Sequence, residues 1–253
     1  MEHLEGRQSV LAALKARQRK FQVILIRQGA HEEKLKELLD WAAQLGVPTR
    51  QVDSRELESL AHGSSHGGVV AICSAKPRAN AEQLIEHLST IEGKPLLLLL
   101  EGVDDARNLG FTLRSADAMG VHAVLIKKHL WDFDPVEVAR PASGAYERLM
   151  LAQIDSVEPL RQLQRAGLQL LGCIAGVRHS MYETDLKKPT ILAIGGEKRG
   201  LSGAVRDICD GFMTIPTVGP EASSLSLSHA SALAIGEAMR QRYFAAPRMT
   251  NDE

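Results

Sequence analysis

The chain has 253 residues, of which 44% are hydrophobic and 24% charged, which is enough for one large or two smaller globular domains. Its formal net charge of −1 excludes a strongly basic protein, so charge alone does not indicate a nucleic-acid partner. The longest apolar run, Leu96 to Leu100, is far too short to cross a bilayer, and the first ten residues resemble no secretory signal. We therefore expect a cytoplasmic protein without a membrane segment.

Residues 1–76 predict a small α/β domain, because helical and strand patterns alternate along them. Gly46 is expected to end the second helix and Ser54 to cap the third. Residues 77–95 are polar and predict a linker with one short helix. The elements predicted for the first block are a helix over 7–17, a strand over 21–26, a helix over 31–46, a strand over 47–53, a helix over 54–61 and a strand over 66–75.

Residues 96–253 predict a larger, doubly wound α/β domain, which opens with a continuous aliphatic strand of the kind found in parallel sheets covered on both faces. Strands and helices then alternate to the end of the chain. The predicted elements are strands over 96–100, 122–128, 168–175, 190–196 and 211–217, and helices over 110–119, 157–166, 202–208 and 226–243.

The three cysteines, Cys73, Cys173 and Cys209, are far apart in the sequence and have no CxxC spacing. They are expected to be free thiols in a reducing compartment, and no metal site is predicted from them.

Three segments with unusual polar or glycine residues follow predicted strands of the second domain, at the sheet edge where open α/β folds bind ligands. In the first segment, Asn108 and Gly110 are predicted to lie in a turn. A sharp turn at Gly110 would bring Arg114 towards Asn108. Taken alone, Arg114 could equally lie on an exposed helix face.

The second segment contains a glycine pair, Gly195 and Gly196, followed by Glu197 and Gly200. Bare backbone at the pair would let a ligand approach the main chain, and the carboxylate could attract a sulfonium or an arginine. An ordinary glycine-rich turn is the alternative. A P-loop is excluded because no Gly-Lys-Ser/Thr follows at the required spacing.

The third segment leaves a strand at Pro216 and enters the last helix through a serine-rich turn. Ser223, Ser224 and Ser226 could accept hydrogen bonds from the free N–H groups at the start of that helix. Capping alone would account for two of these serines.

Together, the segments resemble the three motifs of the SpoU (TrmH-like) family of SPOUT-class RNA 2′-O-ribose methyltransferases. The order and the spacing carry the resemblance, since each motif is weak alone. The first block is similar to a small RNA-binding α/β domain with an L30e-like fold, through GRQSVLAAL and HGGVVAI. The matching residues are Asn108, Gly110 and Arg114 in the first motif, Gly195, Glu197, Gly200 and Leu201 in the second, Ile215, Pro216, Gly219, Ser224 and Leu225 in the third, and Ser143, Gly144 and Ala145 between the first two.

The resemblance implies a trefoil-knotted methyltransferase domain, with the knot formed by the segments around 195–200 and 215–226. It also implies a homodimer with the final helix at the interface. S-adenosylmethionine is the implied cofactor, and no metal is needed because the sulfonium already activates the methyl group. The residues expected to hold the cofactor are Gly195, Gly196, Glu197, Gly200, Ile215, Pro216, Ser224 and Leu225.

The implied reaction is attack by a ribose 2′-oxygen on the methyl group of the cofactor. Because a guanidinium stays protonated, we expect Arg114 to stabilise developing negative charge rather than to act as a base. The expected catalytic residues, carried over from the motifs, are Asn108, Arg114, Glu197, Ser224 and Ser226.

The first 27 residues are locally basic, and charge alone would make them a solvated surface. Since the resemblance implies an RNA substrate, we expect Arg17, Arg19 and Lys20 to bind phosphates.

Ribosomal RNA of the large subunit (23S) is the favoured substrate, because the N-terminal domain is typical of the ribosomal-RNA members of the family; transfer RNA is the alternative. Ser226 stands where the family has Asn, which offers more hydrogen bonds, and this departure keeps open a non-catalytic RNA-binding relative. A dinucleotide-dependent oxidoreductase is disfavoured because no Gly-x-Gly-x-x-Gly follows a predicted strand.

Overall fold

The computed structural model describes residues 1–62, 66–127, 133–219 and 224–244, and in it two β-sheets organise the chain. The first sheet belongs to the N-terminal block. The elements of this block are β1 (Glu2–Glu5), α1 (Arg7–Ala16), β2 (Phe21–Arg27), α2 (Glu32–Gln44), β3 (Thr49–Val52), α3 (Ser54–Leu60) and β4 (Val69–Cys73). The strand order is β1-β4-β2-β3, with β4 antiparallel to both neighbours and β2 parallel to β3.

All elements predicted for this block are present, with two corrections. Asp53, not Ser54, caps α3, because its carboxylate accepts a hydrogen bond from the backbone N–H of Glu56 at 2.8 Å. Strand β1 was missed because its sequence, EHLE, is short and charged. Glu5 in this strand is only 3% exposed; burial would raise its pKa, but hydrogen bonds from His62 and Arg140 hold the pKa below its usual value.

The second sheet has six strands in the order β10-β8-β9-β5-β6-β7, and all of its strand pairs are parallel. This confirms the predicted α/β fold with a parallel sheet. The elements are α4 (Ala81–Ser89), β5 (Leu96–Glu101), α5 (Ala106–Ala118), β6 (Ala123–Lys127), α6 (Pro135–Ala142), α7 (Ala145–Arg148), β7 (Met150–Ile154), α8 (Glu158–Arg165), β8 (Gln169–Cys173), β9 (Thr190–Gly195), α9 (Gly203–Arg206), β10 (Gly211–Met213) and α10 (Leu227–Tyr243).

Strand β5 contributes to the core on both faces of this sheet, as its unbroken leucine run predicts. Leu96, Leu98 and Leu100 pack into one hydrophobic cluster, and Leu97 and Leu99 pack into another. The first cluster continues into the N-terminal block through α1 and β2, so the two sheets share a core. In the part of the chain that the structure describes, no helix is long and apolar enough to cross a membrane.

Helix α5 begins at Ala106, four residues before its predicted start, because Asp105 accepts a hydrogen bond from the N–H of Asn108 at 2.9 Å. The prediction that Asn108 and Gly110 lie in a turn is therefore wrong, since both belong to the helix. Elements α6, α7 and β7 were not predicted.

The predicted linker, 77–95, packs on the large sheet. Helix α4 begins with a capping box in which Asn80 and Gln83 bond each other's backbone N–H groups. Leu84 of this helix is buried beside Leu97, and Ala79 forms a bridge to β7.

A buried ion pair joins the N-terminal block to α7, the short helix that precedes β7 of the large sheet. The guanidinium of Arg19 contacts the carboxylate of Glu147 through two bonds of 2.8 and 2.9 Å, and both side chains are 1% exposed. Glu2 and the carbonyl of Ser74 accept further bonds from Arg19, both at 2.7 Å. Lys76 donates to the carbonyl of Glu147, and burial lowers the pKa of Lys76 to about 8. We name Arg19, Glu147, Glu2 and Lys76 the interblock ion cluster.

Replacement of Glu147 by Gln should destabilise the protein strongly, because it leaves the guanidinium of Arg19 buried without its main counter-charge. Breaking such a pair costs about 3–5 kcal/mol, which urea denaturation would measure. Glu37→Gln is the matched control: its exposed ion pair with Lys15 is worth about 1 kcal/mol or less. Equal losses in the two variants would contradict a structural role for the cluster.

Candidate active site

A cavity of about 540 Å³ lies where β8, β9 and β10 end, at the carboxyl edge of the large sheet. Its volume falls within the range of about 300–1,000 Å³ that is typical of small-molecule sites. All eight residues predicted to hold a cofactor line it: Gly195, Gly196, Glu197, Gly200, Ile215, Pro216, Ser224 and Leu225. The structure therefore brings the second and third predicted segments together around one space.

The glycine pair is required by the packing of the chain on itself. A Cβ at Gly195 would collide with the backbone of Gly200, and a Cβ at Gly196 would collide with the carbonyl of Gly102 at the end of β5. The interpretation that these glycines only make room for a ligand is thus incomplete. They let the cavity wall formed by the loop 195–200 lie against the sheet edge.

The loop is fixed by Glu101, which the sequence analysis missed. Its carboxylate is 3% exposed and accepts hydrogen bonds from the N–H and the hydroxyl of Ser202, at 2.8 and 2.9 Å. The N–H of Gly196 donates to the carbonyl of Glu101 at 2.6 Å. A carboxylate that directly follows five buried leucines is the signal that could have identified Glu101.

Glu197 connects the cavity to α5 and α10. Its Oε1 accepts hydrogen bonds from the side-chain amide of Asn108 at 3.3 Å and from the N–H of Leu227 at 3.2 Å. The structure thus brings two predicted catalytic residues, Asn108 and Glu197, into contact, although 89 positions separate them.

Ser226 caps α10 and takes part in a side-chain network at the same place. Its Oγ lies 2.6 Å from Nδ1 of His229 and 3.0 Å from Oγ of Ser228. Ser228 in turn donates to Oδ1 of Asn108 at 3.0 Å. Neither Ser228 nor His229 was predicted from the sequence, and Ser223 lies outside the described residues.

Arg114 lies apart from this network within one chain. It follows Asn108 by six positions in a continuous helix, so the two side chains are offset by roughly 9 Å along the axis and about 120° around it. The side chain is exposed, and no described residue forms a hydrogen bond or ion pair with it. The sharp turn at Gly110 that would bring Arg114 towards Asn108 is absent, because both residues belong to one continuous helix.

The three basic residues predicted to bind RNA differ in their exposure. Arg17 is exposed and lies over the ring of Trp41 at 5.7 Å, and Lys20 is also exposed. The prediction for Arg19 needs correction: its side chain is buried and held by Glu147, so phosphate binding would require a buried ion pair to break.

The cysteines are free, as predicted. Cys73 is buried, and Cys173 and Cys209 are half-buried. Cys173 lines the cavity, and burial raises the pKa of its thiol to about 11, which keeps it protonated at neutral pH.

The architecture is an α/β fold with a parallel sheet and a small-molecule cavity at the carboxyl edge of that sheet, and comparisons with known proteins give the family. Residues 95–236 match the model of the SpoU rRNA methylase family, and residues 3–79 match the model described as RNA 2′-O ribose methyltransferase substrate binding. The chain belongs to the SpoU rRNA methylase family, which confirms the resemblance of its motifs.

Similar proteins cover nearly the whole chain. The 23S rRNA (guanosine-2′-O-)-methyltransferase RlmB of Pseudomonas aeruginosa is 36% identical over 95% of this chain and 97% of the relative. The RlmB of Ralstonia nicotianae is 35% identical over 94% and 95%. The crystal structure of the SpoU methyltransferase AviRb from Streptomyces viridochromogenes in complex with AdoMet is similar, with a TM-score of 0.78 at 24% identity, over 96% of this chain and 91% of that chain.

Gly196→Ala should weaken the binding of S-adenosylmethionine at least tenfold, because the added methyl group forces the loop 195–200 away from Gly102. Isothermal titration calorimetry would measure the affinity. Gly203→Ala is the matched control, since nothing lies within 4 Å of the Cβ that it adds. Unchanged affinity in Gly196→Ala would contradict the role given to this close approach.

Proposed function

We propose that this chain transfers the methyl group of S-adenosylmethionine to the ribose 2′-hydroxyl of a guanosine in 23S ribosomal RNA. The single observation that carries the proposal is the cavity at the sheet edge, with Glu197 on its wall bonded to Asn108. The substrate is taken from the RlmB relatives, which are similar to this chain over 94% or more of its length. We also propose a cytoplasmic location, because ribosomal RNA is the substrate.

Transfer RNA is the weaker candidate for the substrate. The crystal structure of the tRNA-modifying TrmH/SpoU enzyme of A. aeolicus covers 64% of this chain, with a TM-score of 0.52. The ribosomal-RNA relatives also cover the N-terminal block, which matches the substrate-binding family model.

The proposed organisation keeps the predicted boundaries: an L30e-like domain over 1–76, a linker over 77–95 and a trefoil-knotted domain over 96–253. Support for the knot comes from the two segments that would form it. The loop 195–200 and the segment 214–217 both line the cavity, and the N–H of Leu227 bonds Glu197.

We further propose that the protein acts as a homodimer through α5 and α10. These helices pack on each other and leave large apolar side chains exposed, Phe111 at 48% and Leu233 at 44%. Arg114 is exposed one helical turn after Phe111. A second copy packed on this face would remove Phe111 from water and place each Arg114 at the boundary between two sites.

The residues present fit S-adenosylmethionine. The described residues of the cavity offer apolar walls at Ile194, Ile215 and Leu225, close backbone at the glycine loop, and the carboxylate of Glu197 to face a cation. When bound, this cofactor supplies a methyl group activated by its sulfonium. The chain's own contribution is to align the ribose oxygen and to stabilise the charge that develops on it, which we assign to Arg114.

The proposed function is tested by incubating the protein with labelled S-adenosylmethionine and equal amounts of unmodified 23S RNA and transfer RNA, followed by mass identification of the nucleoside. We expect 2′-O-methylguanosine in the 23S RNA alone. Label in transfer RNA alone would identify transfer RNA as the substrate instead. Cofactor binding without label in either RNA would support the non-catalytic relative.

Arg114→Lys should lower the single-turnover rate of methyl transfer at least tenfold while RNA affinity stays within about twofold, because an ammonium lacks the planar guanidinium that can donate two parallel hydrogen bonds. Arg107→Lys, on the same helix and also exposed, is the control. A full rate in Arg114→Lys would contradict a role that depends on guanidinium geometry.

Replacing Arg17 and Lys20 together by Ala should weaken 23S RNA binding and reduce the slope of log affinity against log salt by about 1–2, since up to two phosphate contacts are lost. Filter binding at several salt concentrations measures both quantities. An unchanged slope would show that Arg17 and Lys20 do not contact RNA phosphates.

A further inference from the structure

The hydrogen-bond network at the start of α10 indicates which atom donates the proton in each contact. Four side-chain contacts link five residues one after another in space. They join His229 to Ser226 at 2.6 Å, Ser226 to Ser228 at 3.0 Å, Ser228 to Asn108 at 3.0 Å, and Asn108 to Glu197 at 3.3 Å. Each hydroxyl has a single proton to donate, so the direction of the contacts can be assigned from one end.

The carboxylate end sets the direction. An ionised carboxylate only accepts, so the Asn108 group facing Glu197 is the amide nitrogen, and the Asn108 oxygen faces Ser228. Ser228 must then donate its proton to Asn108. Ser226 therefore donates its proton to the oxygen of Ser228, and the oxygen of Ser226 accepts a hydrogen bond from Nδ1 of His229.

Each contact contains one proton only when Nδ1 of His229 is protonated and donates to Ser226. In the neutral imidazole this leaves the lone pair on Nε2, the nitrogen on the far side of the ring. The His229 side chain is exposed at the first turn of α10, and the next residue in the chain, Ala230, lines the cavity. No described residue bonds Nε2 of His229, and an imidazole with one nitrogen fixed by a hydroxyl and the other unbonded is the arrangement of an oriented base.

We propose that His229 is a further active-site residue, with Nδ1 donating to Ser226 and Nε2 accepting the proton of the ribose 2′-hydroxyl. This inference rests on the proposed function. As the bond between the 2′-oxygen and the methyl carbon forms and the carbon–sulfur bond breaks, the proton moves from the 2′-oxygen to Nε2. The positive charge that enters on the sulfonium thus ends on the imidazolium, which releases the proton to water.

The same network gives Ser226 a role at this position. Its hydroxyl can accept from Nδ1 and donate to Ser228 at the same time, so it passes the orientation of Glu197 and Asn108 on to the imidazole. Ser226 is a positioning residue in this account, and His229 is the catalytic one.

The test compares His229→Asn with the wild type in single-turnover methyl transfer to 23S RNA. The asparagine amide can donate to Ser226 in place of Nδ1 but has no basic nitrogen. We expect a rate about 10²–10⁴-fold lower, with cofactor and RNA affinities within about twofold. His31→Asn, an exposed histidine in the N-terminal block, is the control and should keep the full rate. A rate for His229→Asn within about twofold of the wild type would overturn the proposal.

A second readout needs no methyl transfer. Nitrogen-15 spectra of the free protein should show the His229 proton on Nδ1, and Ser226→Ala should abolish that preference. A proton found on Nε2 in neutral His229 would overturn the proposed hydrogen-bond direction. Absence of methyl transfer by the wild type would refute the proposed function itself, and the spectra would still decide the network.

Discussion

The close contact between the ends of β5 and β9 is the constraint on which the site depends. At this point two chain segments pass so near to each other that Gly196 has no room for a side chain beside Gly102. The buried carboxylate of Glu101 then binds Ser202, beyond the far end of the glycine loop. A loop held at both ends can present its backbone to a ligand without having to become ordered when the ligand binds.

This constraint also fixes the position of Glu197. Because the loop is fixed, Glu197 reaches Asn108 on α5 and the first N–H group of α10 from a single position. Both helices that receive Glu197 carry an exposed apolar side chain, Phe111 on α5 and Leu233 on α10. The cavity, the polar network and the proposed dimer surface are therefore parts of one arrangement at the carboxyl edge of the sheet.

The sequence was sufficient where the signal was local. Five consecutive leucines predicted a strand covered on both faces, and the motif residues predicted the lining of the cavity. It was insufficient where a residue's environment depends on distant partners. Arg19 resembles a surface residue in a basic segment, and only the fold places it against Glu147, 128 positions away.

One further difference between the predicted and the observed elements could have been predicted from the sequence. Asp105, three residues before Asn108, is a strong N-cap, and it extends α5 back over a segment interpreted as a turn. Ser228, by contrast, bonds Asn108 across 120 positions, a contact that no local sequence pattern predicts.

The central claim is that this chain methylates the ribose of 23S ribosomal RNA, and the most direct measurement is made in cells. Deletion of the gene, followed by mapping of 2′-O-methyl groups across 23S RNA, should reveal one lost guanosine methylation. Expression of the wild-type protein should restore it, and expression of Glu197→Ala should not. An unchanged methylation map after deletion would contradict the account.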